Sequence, residues 1–272
     1  MRRLAAVTAF VCLATSAAGA GAQSPFADPN RQYQSCMAVA RSEPRRALEV
    51  AQSWHAAGGG IGARHCAAIA MYELGQYIEA AQRLEGLGRE MTGQSLALRA
   101  EVFAQSGQAY QAARIADRAL QMQNAAILLD PKNAEIWVDR SITYAAVGAY
   151  RDAVADLTRA LSLAPARPDI LVVRAAAHRN LNDAAAARND AEAALKLEPN
   201  YPEGLLERGL ARRMLRDKAG SDADLRKVLS VVPANSELAE RANAGLAAPL
   251  GPPPAAVPGT PPAPRKPGEK PR

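Results

Sequence analysis

The 272-residue chain has few aromatic side chains and few histidines. Aromatic residues make up only 4% of a chain that is 49% hydrophobic, and much of the apolar content is alanine. This composition suits closely packed helices rather than a deep core of large side chains, because alanine favours helix. Only three histidines are present, and the motifs Gly-x-Ser-x-Gly, His-Glu-x-x-His and Cys-x-x-Cys do not occur. We therefore expect no enzyme activity, no metal site and no cofactor.

Neither the net charge nor the glycine content indicates binding of nucleic acids or nucleotides. The formal net charge is +6, but Arg2 and Arg3 contribute two of these charges and the segment 249–272 contributes three more. The remainder of the chain is near neutral, so the basic total does not indicate a nucleic-acid partner. Glycines cluster at 58–62, but no Gly-Lys-Ser or Gly-Lys-Thr follows, as a phosphate loop requires. We interpret this run as a flexible loop between helices.

Residues 1–22 have the pattern of a signal peptide. Arg2 and Arg3 form a charged start, an apolar run covers 4–14, and a small-residue cleavage site ends at Ala22. An uncleaved membrane anchor is the alternative, but the Ala- and Gly-rich composition argues against it. We predict export to the periplasm or secretion, with no membrane span left after cleavage.

A fixed period organises the second half of the chain. Pro131, Pro165, Pro199 and Pro233 follow one another at intervals of 34 residues. Each segment between them has the apolar spacing of two amphipathic helices, and each proline ends the second helix. A period of this length built from helical pairs predicts a stacked helical repeat.

The segment 134–167 shows the repeat most clearly. Its first helix ends at Gly148, and matched small residues (Ser141, Ala175 and Gly209) recur in the first helices of three consecutive units. The segment resembles the tetratricopeptide repeat family, whose pattern of Trp, Tyr, Ala, a large apolar residue, Ala and Pro is present at Trp137, Tyr144, Ala153, Leu157, Ala160 and Pro165. The resemblance implies an all-α, right-handed helical solenoid. Arg140 stands where the family usually has leucine.

The period also divides the whole chain into units. Residues 93–133 exceed it by seven, and we predict that Ser106-Gly107-Gln108 forms the turn and that an elongated second helix extends over 121–130. Proline and basic residues dominate the last segment, which predicts a disordered tail. The predicted parts are a leader and a short helical pair (23–60), five repeats (61–92, 93–133, 134–167, 168–201 and 202–235), a capping helix (236–248) and the tail (249–272).

Charged residues also follow the period. Each of three units has an arginine on its first helix and, at a constant distance along the chain, an aspartate on its second. Because a short turn makes the two helices antiparallel, we interpret these residues as ion pairs that tie the helices together; a ligand-binding stripe is the alternative. The pairs are Arg140 with Asp156, Arg174 with Asp190, and Arg208 with Asp224.

Two of the three cysteines, Cys36 and Cys66, remain after removal of the signal peptide. They lie in predicted first helices of neighbouring units, and an exported protein meets an oxidising compartment. We predict a disulfide between them that closes the N-terminal end of the array. Two buried free thiols are the alternative.

The resemblance implies that first helices line a concave groove that binds peptides or proteins. The family's Lys and Asn clamp for a C-terminal carboxylate is absent, since apolar residues stand at those positions. The candidate groove residues are Glu135, Val138, Asp139, Ile142, Asp169, Val172, Val173, Ala176, Arg179, Glu203, Leu206, Leu210 and Arg213. We expect a non-enzymatic adaptor or scaffold of the bacterial envelope that binds a protein or peptide. An accessory subunit of an envelope enzyme and a self-assembling structural protein are the alternatives.

Overall fold

The structure, a computed structural model, describes residues 28–251, which form thirteen helices and no strand. The predicted signal peptide and all but the first three residues of the predicted tail lie outside this range. The helices are α1 Pro29–Ser42, α2 Pro44–Ala56, α3 Gly60–Glu73, α4 Tyr77–Glu90, α5 Leu96–Ala112, α6 Ala116–Leu129, α7 Ala134–Ala146, α8 Tyr150–Leu163, α9 Pro168–Asn180, α10 Ala184–Leu197, α11 Pro202–Met214, α12 Lys218–Val231 and α13 Glu237–Ala247.

Each helix packs mainly on its neighbours in the chain, as in a solenoid. Further contacts join first helices to one another, as between α5 and α7, α9 and α11, and α11 and α13. No two second helices pack as closely within the described range. The first helices therefore crowd together on the inner side, and we call their exposed surface the concave face. The predicted all-α repeat fold is confirmed.

The turns between paired helices have the same period. Arg114, Gly148, Asn182 and Arg216 follow one another at this period, and each has a positive φ, between 60° and 78°. Glycine adopts this conformation without strain, whereas arginine does so rarely. The sequence indicates this position only at Gly148, and the structure shows that the backbone geometry recurs with other side chains.

The predicted elongation of a second helix is wrong. Helix α6 has 14 residues, like α8, α10 and α12, whereas α5 has 17 and continues through the predicted turn at Ser106-Gly107-Gln108. Gly107 lies one period before Ser141 and occupies the position of close helix approach: a Cβ there would lie 2.8 Å from Cγ of Gln123. The periodicity therefore extends back to residue 100, and α5 begins about one turn earlier than the period requires.

Helix α13 covers the last unit. Ser236 accepts a hydrogen bond from the N–H of Ala239 (3.2 Å), which caps the start of the helix. The helix packs on α11 and α12, in the place that the first helix of a further unit would take. Gly245 allows this contact, since a Cβ there would lie 2.8 Å from Cδ2 of Leu210.

The N-terminal helices are held by the predicted disulfide, which is confirmed. Cys36 on α1 and Cys66 on α3 are bonded, with their Cα atoms 6.2 Å apart, and both are buried. The nearby glycine run packs closely on Trp54, because a Cβ at Gly59 would lie 2.6 Å from the indole ring. Among residues 28–251, no helix combines the length and the hydropathy that crossing a membrane requires.

Candidate partner-binding groove

The apolar candidates on the concave face differ in how much of them a partner could reach. Ile142 on α7 is 40% exposed, whereas Val172 on α9 is 8% exposed and Leu206 on α11 is fully buried. Val138, Val173 and Ala176 are partly buried. Among these candidates, Ile142 on α7, in the middle of the array, therefore offers the most accessible apolar surface.

The last unit does not form an open groove. Leu210 packs against α13 in the same apolar cluster as Leu206. Arg213 is 7% exposed and donates hydrogen bonds to the carbonyl oxygens of Leu246 and Ala248, both at 2.6 Å, and to Asp222 at 2.9 Å. A guanidinium at the C-terminal end of a helix is favourable, because the carbonyl groups there lack intrahelical partners. These three candidates therefore hold α13 in place rather than facing a partner.

The acidic groove candidates Glu135, Asp169 and Glu203 are partly neutralised. Arg167 donates two hydrogen bonds to Asp169, at 2.9 and 2.6 Å, and also pairs with Glu135. These bonds lower the pKa of Asp169. Glu203, the third of these acidic candidates, is partly buried.

Asp139 on α7 is the carboxylate most affected by its position. Gln108 on α5 donates a hydrogen bond to it at 2.8 Å. Burial raises the pKa of Asp139 to about 6, and the nearby charge of Glu135 adds to the rise. A substantial fraction of this side chain is therefore protonated at mildly acidic pH, in which state it can donate a hydrogen bond.

Arg179 is held in a network that crosses three first helices. It donates to Glu207 at 2.9 Å, and Arg241 on α13 donates to the other oxygen of the same carboxylate at 2.6 Å. Glu207 is only 2% exposed, so both arginines compensate a buried charge. Arg179 is therefore the side chain at which the open part of the concave face meets the covered part.

Helix α5 contributes two polar side chains to the concave face that are absent from the candidates predicted from the sequence. Gln105 and Gln108 lie one period before Asp139 and Ile142, so they hold the equivalent positions of their unit. Gln105 contacts His65 on α3, with Oε1 2.6 Å from Nε2. The period alone would have placed both glutamines at these positions. The turn predicted at 106–108 shifted the expected end of the first helix and so hid this equivalence.

The three arginine–aspartate pairs lie between helices rather than in the groove. In each pair the guanidinium donates two hydrogen bonds to the carboxylate, at 2.7 to 2.9 Å. Two of the arginines also reach the preceding unit: Arg140 donates to Asn124 at 2.6 Å, and Arg174 donates to Thr158 at 3.1 Å. We call this set the arginine ladder. It joins paired helices and successive units, and all three aspartates are buried.

Comparisons with known proteins agree with this geometry. A family model described as Tetratricopeptide repeat matches residues 106–178, and a second with the same description matches residues 168–201. A search of curated proteins finds no match. The crystal structure of MamA is 15% identical, with a TM-score of 0.53 over 60% of this chain and 92% of that chain. MamA 41-end from Desulfovibrio magneticus RS-1 is 16% identical, with a TM-score of 0.54 over 60% and 90%.

The structural likenesses, at this level of identity, concern the fold. The two family models identify tetratricopeptide repeats within residues 106–201 of this chain. The matched residues begin at 106, inside α5, which agrees with a period that extends back beyond Pro131.

Proposed function

We propose that this chain is a non-enzymatic scaffold that binds a protein or peptide segment on the concave face of α5, α7 and α9. The proposal rests on one observation: part of the concave face is covered by another helix of the chain, and part of it is exposed. The chain's own helix α13 occupies the last unit, whereas Ile142 remains 40% exposed in the middle of the array. The match of residues 106–201 to tetratricopeptide repeats, whose units stack into an extended surface, supports the same proposal.

The chemistry of this stretch suits an extended, mainly uncharged segment. Ile142 and the partly buried Val173 offer apolar contact, while Gln105 and Gln108 carry amides that can donate to and accept from a peptide backbone. Asp139 adds one carboxyl group to the same surface. Binding of this kind would combine apolar contacts for affinity with hydrogen bonds for orientation.

The test is a capture experiment with two matched substitutions. Ile142→Glu places a charge in the middle of the concave face, and Leu128→Glu places the same charge on α6, where Leu128 is 84% exposed. Both variants should fold, because each side chain has access to water. Proteins captured from envelope extract by the parent chain and by Leu128→Glu, but lost with Ile142→Glu, are the expected result.

Two outcomes would count against this site. Equal capture by both variants would move the binding surface away from the concave face, and light scattering that shows the captured partner to be a second copy would favour a self-assembling protein. Substitutions at Leu210 are unsuitable as groove probes, because this side chain packs against α13. Their effect on binding would be confused with a loss of the cap.

We further propose that the protein works in the bacterial periplasm or outside the cell. The disulfide between Cys36 and Cys66 supports this location, because such bonds persist in oxidising compartments. The signal-peptide pattern of residues 1–22 agrees with it. Mass spectrometry of the protein recovered from a periplasmic fraction should show a chain that begins at Gln23 and carries no free thiol.

A further inference from the structure

A cavity of about 460 Å³ lies between the second helices α4 and α6. Helix α4 contributes Ile78, Glu85, Gly86 and Arg89 to its wall, and α6 contributes Arg118. The second helices lie on the outer side of the array, whereas the first helices line the concave face. This cavity is therefore separate from the surface that we propose for a protein or peptide partner.

Glu85 is the buried charged residue of this cavity. Its carboxylate accepts a hydrogen bond from the hydroxyl of Tyr110 on α5, at 2.8 Å. Arg89 donates to one oxygen of this carboxylate, and Arg118 donates to the other. Two guanidinium groups thus share one carboxylate, which leaves one positive charge in excess at the cavity.

Both arginines have N–H groups left over for a ligand. Within residues 28–251, Arg89 donates a hydrogen bond only to Glu85, and Arg118 donates to Glu85 and, at 3.1 Å, to Oε1 of Gln121. A guanidinium has more N–H groups than these bonds use. Since both side chains are also partly exposed, an anion in the cavity can accept hydrogen bonds from each of them.

The arrangement differs from that of the arginine ladder. Glu85 is the ninth residue of α4, as Asn124 is of α6, and Asn124 accepts a hydrogen bond at 2.6 Å from Arg140 on the next first helix. The residue of α5 one period before Arg140 is Ser106, which donates to a backbone carbonyl oxygen of α4 instead. The arginines that compensate Glu85 therefore come from the second helices, where they border the cavity.

The remaining wall leaves room for the apolar body of a ligand. Ile78 is exposed, and Ile115, just before α6, lines the cavity as a partly buried side chain. A Cβ at Gly86 would meet no atom within 4 Å, so the missing side chain there keeps the cavity open. Small-molecule sites in proteins have volumes of about 300 to 1,000 Å³, a range that includes this cavity.

We propose that this cavity binds a carboxylate ligand with an apolar body, and that the ligand's carboxylate bridges Arg89 and Arg118. A single excess positive charge suits a monoanion, whereas a doubly charged phosphate would be repelled by the neighbouring Glu85. The two isoleucines contact the apolar body. The carboxylate can belong to a free aliphatic acid or to the C-terminus of a peptide, since both carry the same chemical groups.

The direct test is nuclear magnetic resonance on the full chain with labelled isoleucine methyl groups. Sodium hexanoate is the ligand probe, hexanamide has the same body without the charge, and inorganic phosphate is an anion without an apolar body. We expect the methyl signals of Ile78 and Ile115 to shift with hexanoate and to stay in place with the other two compounds. No shift with hexanoate, or equal shifts with hexanamide or phosphate, would overturn the proposal.

N-acetylleucine distinguishes the two sources of the carboxylate. Tighter binding of this compound than of hexanoate, with shifts of the same isoleucine signals, would assign the site to the C-terminus of a peptide. Tighter binding of hexanoate would assign it to a free aliphatic acid. Either order supports a carboxylate site.

Substitutions on α4 test the site itself. Arg89→Gln should weaken hexanoate binding roughly tenfold, because a charged hydrogen-bond donor is lost. The matched control is Arg83→Gln on the same helix, since Arg83 pairs with Glu79 outside the cavity, and it should leave binding unchanged. Equal weakening by both changes would show a general effect of charge and contradict the proposal.

Gly86→Leu should block the cavity without disturbing the fold, because the space around this position is empty. We expect loss of hexanoate binding with unchanged helical content by circular dichroism. Undiminished binding in this variant would place the ligand elsewhere and overturn the assignment.

Discussion

The N-terminal and C-terminal parts of this chain are held together in different ways. From α6 to α12 the second helices begin at a constant interval of one period, and the arginine ladder ties the paired helices together through the same arginine–aspartate contact in three units. From α1 to α5 the spacing is irregular, and a disulfide, a glycine run on Trp54 and a longer helix take the place of the ladder. The regular units are therefore held by the same contacts in each repeat, whereas the irregular end is held by contacts that occur only there.

The boundary between the two parts is visible in single residues. Ser106 lies one period before Arg140 and donates to the carbonyl oxygen of Ala81 at 2.8 Å, so it replaces the ladder's guanidinium with a short bond to the backbone. The charged contacts in this region are made by Glu85 on α4. Glu85 accepts a hydrogen bond from Tyr110 at 2.8 Å and forms ion pairs with Arg89 and Arg118. Buried polar contacts between helices therefore occur in both parts of the chain, but different types of residue make them.

Removal of the disulfide should have the largest effect, and only on the irregular part. Cys36→Ala with Cys66→Ala opens a loop with a sequence separation of 30 residues, for which the loss is roughly 3.5 kcal/mol of unfolding free energy. Hydrogen exchange should show α1 and α2 losing protection while α8, α10 and α12 keep theirs. Uniform loss of protection along the chain would mean that the two parts unfold as one unit and that the distinction is only geometric.

Breaking one step of the ladder should have the next largest effect, in the regular part. Arg174→Ala leaves the buried Asp190 without the two hydrogen bonds that Arg174 donates, and we expect a loss of about 2 kcal/mol in urea unfolding, since a buried acceptor is left unsatisfied. The matched control is Arg83→Ala, since the pair of Arg83 with Glu79 is about half exposed and should contribute less than about 0.5 kcal/mol.

The double substitution Arg174→Met with Asp190→Leu sharpens the same comparison. It removes both charges, so no buried carboxylate is left unpaired, and it should cost less than Arg174→Ala alone. A larger cost for the double variant would show that the geometry of the pair, and not compensation of the buried aspartate, is what stabilises the unit.

Asp139 lies close to the boundary and should make stability depend on pH. Its pKa is about 6 in the folded chain and near 4 in an unfolded chain. Its protonated form therefore stabilises the fold fully below about pH 4, and that contribution is lost as the pH rises through 6. Because Asp139 is only partly buried, solvent screening reduces the effect of its pKa shift, so Asp139→Asn should remove this dependence and gain about 1 kcal/mol at pH 8 relative to the parent chain, as measured by urea unfolding between pH 4.5 and 8. A parallel loss of stability in both chains over this range would assign the effect to another group.

The smallest effect concerns the turns with positive φ. Arg114 has φ 60° in the position that Gly148 occupies one unit later. Arg114→Gly should stabilise the chain by roughly 0.5 kcal/mol, because relief of the left-handed strain slightly exceeds the entropy cost of glycine. Gly148→Ala should have the opposite sign in thermal unfolding. Destabilisation by both changes would indicate that the Arg114 side chain, and not its backbone, matters at this turn.

The candidate site was only partly predictable from the sequence. The period placed Ile142 and Asp139 on first helices, but it could not show that Leu210 and Arg213 belong to the interface with α13. The glycine run predicts a flexible loop, because a pattern of glycines does not reveal that an indole lies against it. Side chains at equivalent positions of a repeat have different neighbours at the ends of the array than in its middle.

The sequence by itself determined the repeat, its period, the all-α fold and the pairing of Cys36 with Cys66. These follow from local rules: helical spacing, prolines that end helices, and residues brought together by neighbouring units. Only the tertiary structure decided which part of the concave face stays open, where the period begins and how burial changes the pKa of Asp139. Whether a surface is covered, and how deeply a side chain is buried, depend on helices that are distant in the sequence. A local sequence pattern therefore cannot predict them.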